Sequence, residues 1–151
     1  MKKVFEISAG AVIFFQNQKQ GQRQYLLLFR KGHDGFKDYY GFVQGNIEEG
    51  EKPEATVLRE AREETGLEIE LIPGFKHQIS YFYTREGSAV SKKVIFFVAR
   101  AKTTEVKISK EHDAYFWLSF DEAMQRLKFK NQKELLKKVE EFLNKAEQEK
   151  Q

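Results

Sequence analysis

Three glutamates spaced to share one helical face are the residues of this chain best suited to chemistry. Glu60, Glu63 and Glu64 stand at i, i+3 and i+4 within Arg59-Glu60-Ala61-Arg62-Glu63-Glu64-Thr65-Gly66-Leu67. On an α-helix such positions point the same way, and like charges there cost roughly 0.2–0.5 kcal/mol per exposed pair. Gly66 suits the residue just past a helix, so the acids crowd the C-terminal end, where the helix dipole disfavours anions. A divalent cation resolves that conflict, and hard oxygen donors select Mg²⁺ or Mn²⁺. Such ions can bridge phosphate oxygens and activate water. On the carboxylates alone, an ordinary solvated charged face remains the default reading.

The surrounding residues are those needed to place such a cluster. Pro53 suits a first helical turn, where a missing N–H costs nothing, so a helix is expected over Pro53–Thr65. Glu51 lies eight residues before Arg59 and can pair with it, tying the preceding loop to the helix. Gly45 lets backbone approach a metal or phosphate closely, and Gly50 permits a tight loop. Ala9–Phe15 and Tyr25–Phe29 read as short buried strands, separated by the polar loop Gln16–Gln24. Lys31–Asp38 reads as a loop and Tyr39–Val43 as a brief strand. Leu67–Ile72 alternates charged and aliphatic residues, as a strand would. Phe75–Tyr83 and Lys93–Ala101 read as longer strands joined by the polar turn Arg85–Ser91, and Ala114–Leu118 as a last short one. Ser119 with Glu122 is a capping-box pattern that starts a helix over Asp121–Leu127. A second helix follows from Gln132, with Leu135, Leu136, Val139, Phe142 and Leu143 as its apolar stripe; the polar Lys145–Gln151 is expected to fray. This mixture predicts an α/β (α+β) protein, a sheet covered by helices.

Composition narrows the function classes. At 151 residues, with 14 Phe, six Tyr and one Trp, the chain makes one domain with a sizeable core. It contains no cysteine, which excludes disulfide scaffolds, Cys-ligated zinc and thiol catalysis. A net charge of +3 is too mild to argue for nucleic-acid binding by itself. No run approaches the ~20 apolar residues of a membrane span, and Met1–Glu6 carries no apolar core of a secretory signal. The expectation is a soluble cytoplasmic protein.

Gly45 to Leu67 resembles the complete 23-residue box of the Nudix hydrolases: Gly, five residues, Glu, seven residues, Arg-Glu, an aliphatic, any residue, Glu-Glu, any residue, Gly, an aliphatic. Seven fixed residues at roughly 6% each make a chance match on the order of one in a million. The resemblance implies a Nudix fold, a mixed β-sheet sandwiched between α-helices, and Mg²⁺-dependent hydrolysis (Mn²⁺ substituting) of a nucleoside diphosphate linked to another moiety. It implies that the Gly45 carbonyl, Glu60, Glu63 and Glu64 hold metal. One of these glutamates would activate the attacking water, and Arg59 would be structural, paired with Glu51. A further metal-binding acid from outside the box is expected at Glu111.

Outside the box, Pro73-Gly74-Phe75-Lys76 with Tyr81, the run Lys92–Ala99 and the run Ser109–Leu118 resemble the animal-type asymmetric diadenosine tetraphosphate (Ap4A) hydrolases. That likeness implies cleavage of Ap4A to ATP and AMP. It implies an adenine ring stacked between Tyr81 and Tyr115, and phosphates held by Lys76 and Lys92. From position alone a strand Tyr is more often a packing residue. His77 and His112 read as surface or hydrogen-bonded structural residues. The lead-in Phe42-Val43-Gln44-Gly45, with Ile47, is closer to bacterial RNA 5′-pyrophosphohydrolases, and Gln44 stands where the animal-type group usually has Lys. The alternatives are therefore 5′-triphosphate RNA, a nucleotide sugar or ADP-ribose as substrate, or a non-catalytic nucleotide sensor on the same scaffold. The expected partner is a small nucleotide; nucleic acid enters only as 5′-triphosphate RNA, no membrane is expected, and a protein partner is left open.

Overall fold

The structure is a computed structural model that describes residues 2–17, 21–33, 35 and 37–150. Residues 18–20 of the first expected loop, 34 and 36 of the second, and the terminal residues 1 and 151 lie outside it. Among the described residues eight strands and three helices follow one another as β1 (Lys3–Gln16), β2 (Arg23–Arg30), β3 (Tyr39–Gly41), β4 (Val43–Asn46), α1 (Pro53–Thr65), β5 (Ile69–Leu71), β6 (His77–Arg85), β7 (Ser88–Ala101), β8 (Ala114–Leu118), α2 (Phe120–Arg126) and α3 (Lys130–Glu149). The strands form one sheet with the path β3-β2-β1-β7-β5; β4 pairs with β1, β6 with β7 and β8 with β2. Among the described residues β1 and β7 run parallel and the other strand pairs antiparallel, so the sheet is mixed, as expected.

Alternation along β1 and β7 divides the core in two. Ala9, Ala11 and Ile13 of β1 and Phe97 and Ala99 of β7 cluster with Val57 and Ala61 of α1. The alanines let that helix lie close to the sheet. Val12, Phe14, Val94, Phe96 and Val98 take the opposite face, under Leu135, Leu136, Val139 and Leu143 of α3. Burying each of these helix aliphatics contributes about 1.5–3 kcal/mol relative to exposure. The helix ends behave as their residues dictate. Pro53 occupies the first turn of α1, and Gly66 closes it at φ 72° with its N–H donated to the Arg62 carbonyl. Ser119 and Glu122 form the reciprocal capping box of α2.

Several boundaries differ from those expected. Phe42 interrupts the run Tyr39–Val43: β3 pairs with β2 while β4 crosses to β1. The turn expected over Arg85–Ser91 shrinks to Glu86 and Gly87, both at positive φ, the two-residue geometry that suits a hairpin. Ser88–Lys92 are therefore strand, paired on one side with β6 and on the other with the start of β1. The polar end of α3 stays helical to Glu149. Arg23 of β2 anchors it, pairing with Glu140, Asn144 and Glu147 on successive turns.

Candidate active site

The loop before α1 is tied to the helix by two residues of the expected pair. Arg59 donates Nε to Glu51 Oε2 at 2.9 Å and Nη2 to Glu51 Oε1 at 3.0 Å, a two-point clamp. Glu51 Oε1 also accepts the Thr56 hydroxyl at 2.6 Å and the Glu48 N–H at 3.1 Å. These donors, Arg59 first, hold the Glu51 carboxyl down at about 2. The far side of the same guanidinium serves the acids: Nη1 donates to Glu60 at 2.8 Å and to Glu63 at 3.2 Å, and Nη2 to the Asn46 carbonyl at 3.1 Å. Gly45 completes this corner. A Cβ there would fall inside the Glu60 carboxyl group, so a larger residue would push that side chain out of its place under β4.

Glu64 sits in a different setting from its two neighbours. It is 6% exposed, while Glu63 is exposed and Glu60 half-buried. Its Oε1 lies 3.0 Å from His112 Nε2, and its Oε2 is buried without a hydrogen-bond partner among the described residues. Burial pushes the Glu64 carboxyl above the usual range, opposed by His112. Burial also raises Glu60, with the Glu64 charge adding to it. Donor atoms of Glu64, Glu111 and His112 all lie within 4.8 Å of one another. The segment after β7 delivers Glu111 and His112 by clamping the end of α1. Lys107 N–H donates to the Thr65 carbonyl at 2.9 Å and Ser109 N–H to the Glu64 carbonyl at 3.0 Å. Beyond the turn, Asp113 N–H donates to the Phe29 carbonyl at 2.8 Å.

These residues open into a cleft of about 450 Å³ whose lining includes Gln44, Glu64, Tyr81, Lys92, Glu111 and His112. Tyr81 of β6 stands directly opposite Lys92 of β7, so both side chains leave the same face of the sheet. Burial pushes the Tyr81 hydroxyl up and the half-buried Lys92 ammonium down, the latter countered by Glu6, Glu60 and Glu64. The remaining lining includes Tyr39 and Phe129, rings 6.0 Å apart, with the Arg30 guanidinium 5.4 Å over Tyr39.

Of the residues expected from sequence, Gln44, Glu64, Tyr81, Lys92 and Glu111 thus share one cleft, and Gly45, Arg59, Glu60 and Glu63 form the adjoining corner. Tyr115 is 37% exposed on β8, opposite Leu28 of β2, and it does not line the cleft; nor does Lys76, exposed just before β6. His112 read as structural; its position next to Glu111 was the signal available. Arg30, Tyr39 and Phe129 carried no signal, since only folding brings their three segments together.

The donor set fits a hard divalent ion. It offers carboxylate oxygens, a glycine corner beside Glu60, and a buried carboxylate oxygen with no hydrogen-bond partner among the described residues.

The family model of the NUDIX domain matches residues 5–139. The chain is 37% identical over 143 residues to the asymmetrical bis(5′-nucleosyl)-tetraphosphatase of Mus musculus, covering 90% of this chain and 94% of that one. It is 35% identical over 125 residues to the enzyme of the same name from Rattus norvegicus, covering 80% of each. A crystal structure of a C. elegans Ap4A hydrolase binary complex superposes with a TM-score of 0.72, covering 92% of this chain and 98% of that one; at 23% identity the likeness is one of fold.

Proposed function

Because this chain belongs to the NUDIX domain family, we propose that it is a nucleoside polyphosphate hydrolase whose reaction is the asymmetrical cleavage of Ap4A to ATP and AMP. The observation that carries this reading is Glu64, one oxygen of which is buried without a partner among the described residues, lining a cleft together with Glu111, Lys92 and Tyr81. The likeness to the mouse enzyme over nearly the whole length of both chains supports the choice of substrate. Nudix hydrolases generally use divalent metal ions, and Mg²⁺ is the ion proposed here, with Mn²⁺ able to substitute. The Gly45 carbonyl, Glu60, Glu63, Glu64 and Glu111 would hold it. When bound, it supplies neutralisation of the phosphate charge and a lowered pKa for water.

The protein's own groups do the rest. Glu51 fixes Arg59, and Arg59 fixes the Glu60 and Glu63 carboxylates. A box glutamate takes the proton of the attacking water; Glu60 and Glu64, both pushed up by burial, suit that role. Water oxygen bonds to one phosphorus, the bridging P–O bond breaks, and a nucleotide leaves. Lys92 meets the phosphate chain as a point charge. Tyr81 offers a stacking face to the base, worth about 1–3 kcal/mol. Gln44 lines the cleft without adding charge. Tyr115 and Lys76 are proposed contacts on the strength of the resemblance, as base partner and phosphate ligand. Cytoplasmic residence belongs to the same proposal, since nucleotide polyphosphates are metabolites of that compartment. Among the described residues no helix is long and apolar enough to cross a membrane.

The test is product identification. Purified protein, Mg²⁺ and Ap4A are expected to yield ATP and AMP in equal amounts, separated by ion-exchange chromatography. Two ADP from Ap4A, or turnover confined to pyrophosphate release from 5′-triphosphate RNA or to cleavage of ADP-ribose, overturns the substrate. Nucleotide binding without turnover in any of these assays overturns the enzyme in favour of a sensor.

A further inference from the structure

We infer that His112 is the positioning residue for the metal-facing oxygen of Glu64. The inference rests on the metal site proposed above. Two of the three box acids receive their donor from Arg59, but Glu64 does not; His112 Nε2, 3.0 Å from Oε1, takes that place. With Oε1 engaged by an imidazole N–H, the carboxylate of this cleft-lining residue is held in one rotamer, and Oε2, buried and without a partner among the described residues, is left as its free donor atom. A carboxylate ligand oriented by a hydrogen-bonded neighbour binds metal more tightly than a free one, and losing such a neighbour typically costs 10–100-fold in affinity.

The surroundings suit a fixed donor. The His112 side chain is 12% exposed, and the backbone N–H of His112 donates to the Ser109 carbonyl at 3.2 Å. Ser109 is in turn bonded to the last turn of α1, the turn that carries Glu64. Imidazole and carboxylate are thus mounted on two segments joined by backbone hydrogen bonds. Donation through Nε2 leaves Nδ1 as the bare ring nitrogen, which matches its lack of a partner among the described residues.

The test is Mn²⁺ binding to the intact protein, followed by loss of the free-ion EPR signal, with thermal unfolding recorded in parallel. His112→Leu, which cannot donate, is expected to weaken Mn²⁺ binding 10–100-fold. His112→Gln, whose amide N–H reaches the same point, is expected to stay within about threefold of wild type. Equal Mn²⁺ affinity in wild type and His112→Leu overturns the inference, even if the variant melts earlier, because a packing role alone predicts that pattern. Electron spin-echo modulation from a directly bound ¹⁴N in the wild-type complex also overturns it, since it would make His112 a ligand. A wild-type protein that binds no Mn²⁺ removes the metal reading itself, and this inference with it.

Discussion

Burial holds the Glu64 carboxyl above the ordinary carboxylate range, so the folded protein binds its proton more tightly than the unfolded chain does. For an acid shifted this way, stability falls as pH rises from the unfolded value, about 4.3, through the folded one. Wherever the metal-free carboxyl is ionised, its charge is therefore a cost to the fold. Glu64→Gln keeps the shape and the acceptor for His112 but removes the charge. It is expected to lower kcat by orders of magnitude while the metal-free protein melts no lower than wild type at pH 7, as measured by steady-state assay and calorimetry. Wild-type turnover would refute the ligand assignment. Tyr81 gives a second residue-level expectation. Tyr81→Ala removes a stacking face, so KM for the dinucleotide should rise by roughly 5- to 150-fold, the equivalent of about 1–3 kcal/mol. Tyr115→Ala, assayed alongside, decides whether the second tyrosine touches the base at all: an unchanged KM removes it from the sandwich.

Two clamps act at the level of elements. Glu51 joins the loop after β4 to α1, and Arg59 holds its carboxyl down at about 2. An acid depressed this way adds stability that is fully present above its unfolded value, about 4.3, and is lost as pH falls towards 2. Glu51→Gln should thus flatten the melting temperature between pH 4.5 and 2 relative to wild type, a comparison made by calorimetry across that range. It should also lower kcat, because Arg59 then holds Glu60 and Glu63 less firmly. The second clamp joins β2 to the end of α3. Arg23 is 8% exposed at its side chain and pairs with Glu140 and Glu147, so Arg23→Ala leaves the partly buried Glu140 with the Tyr25 hydroxyl as its remaining donor and unties Glu147 from β2. A loss on the order of 2–3 kcal/mol is expected, with amide hydrogen exchange accelerating first in the last two turns of α3. The polar composition of Lys145–Gln151 predicts fraying; the anchor that prevents it lies over a hundred residues upstream.

For the whole molecule, the two apolar clusters on either face of the sheet include none of the proposed metal ligands. Chelation should therefore stop turnover without unfolding the protein. Returning Mg²⁺ at about 100 times its dissociation constant should raise stability by about 2.7 kcal/mol, since the folded site alone binds it; a melting temperature indifferent to Mg²⁺ would count against the site. The sheet also explains which contacts were hidden. Lys92 lies between Glu6 of β1 and Tyr81 of β6 only because β7 runs parallel to the first and antiparallel to the second. Strand partners at such separations leave no local pattern, so the cleft's charge balance could not be read along the chain.

What the residues specified alone was local. The helix over Pro53–Thr65, its Gly66 stop, the Ser119–Glu122 cap, the Glu51–Arg59 pair and the spacing of the acids all depend on neighbours within eight positions, and fixed spacings encode such interactions directly. What folding alone decided was which acid is buried. Glu60, Glu63 and Glu64 are equivalent by spacing, yet one is sealed beside His112 while the others share Arg59. Burial is set by the segment that closes over the end of α1, and that segment arrives from more than forty residues downstream.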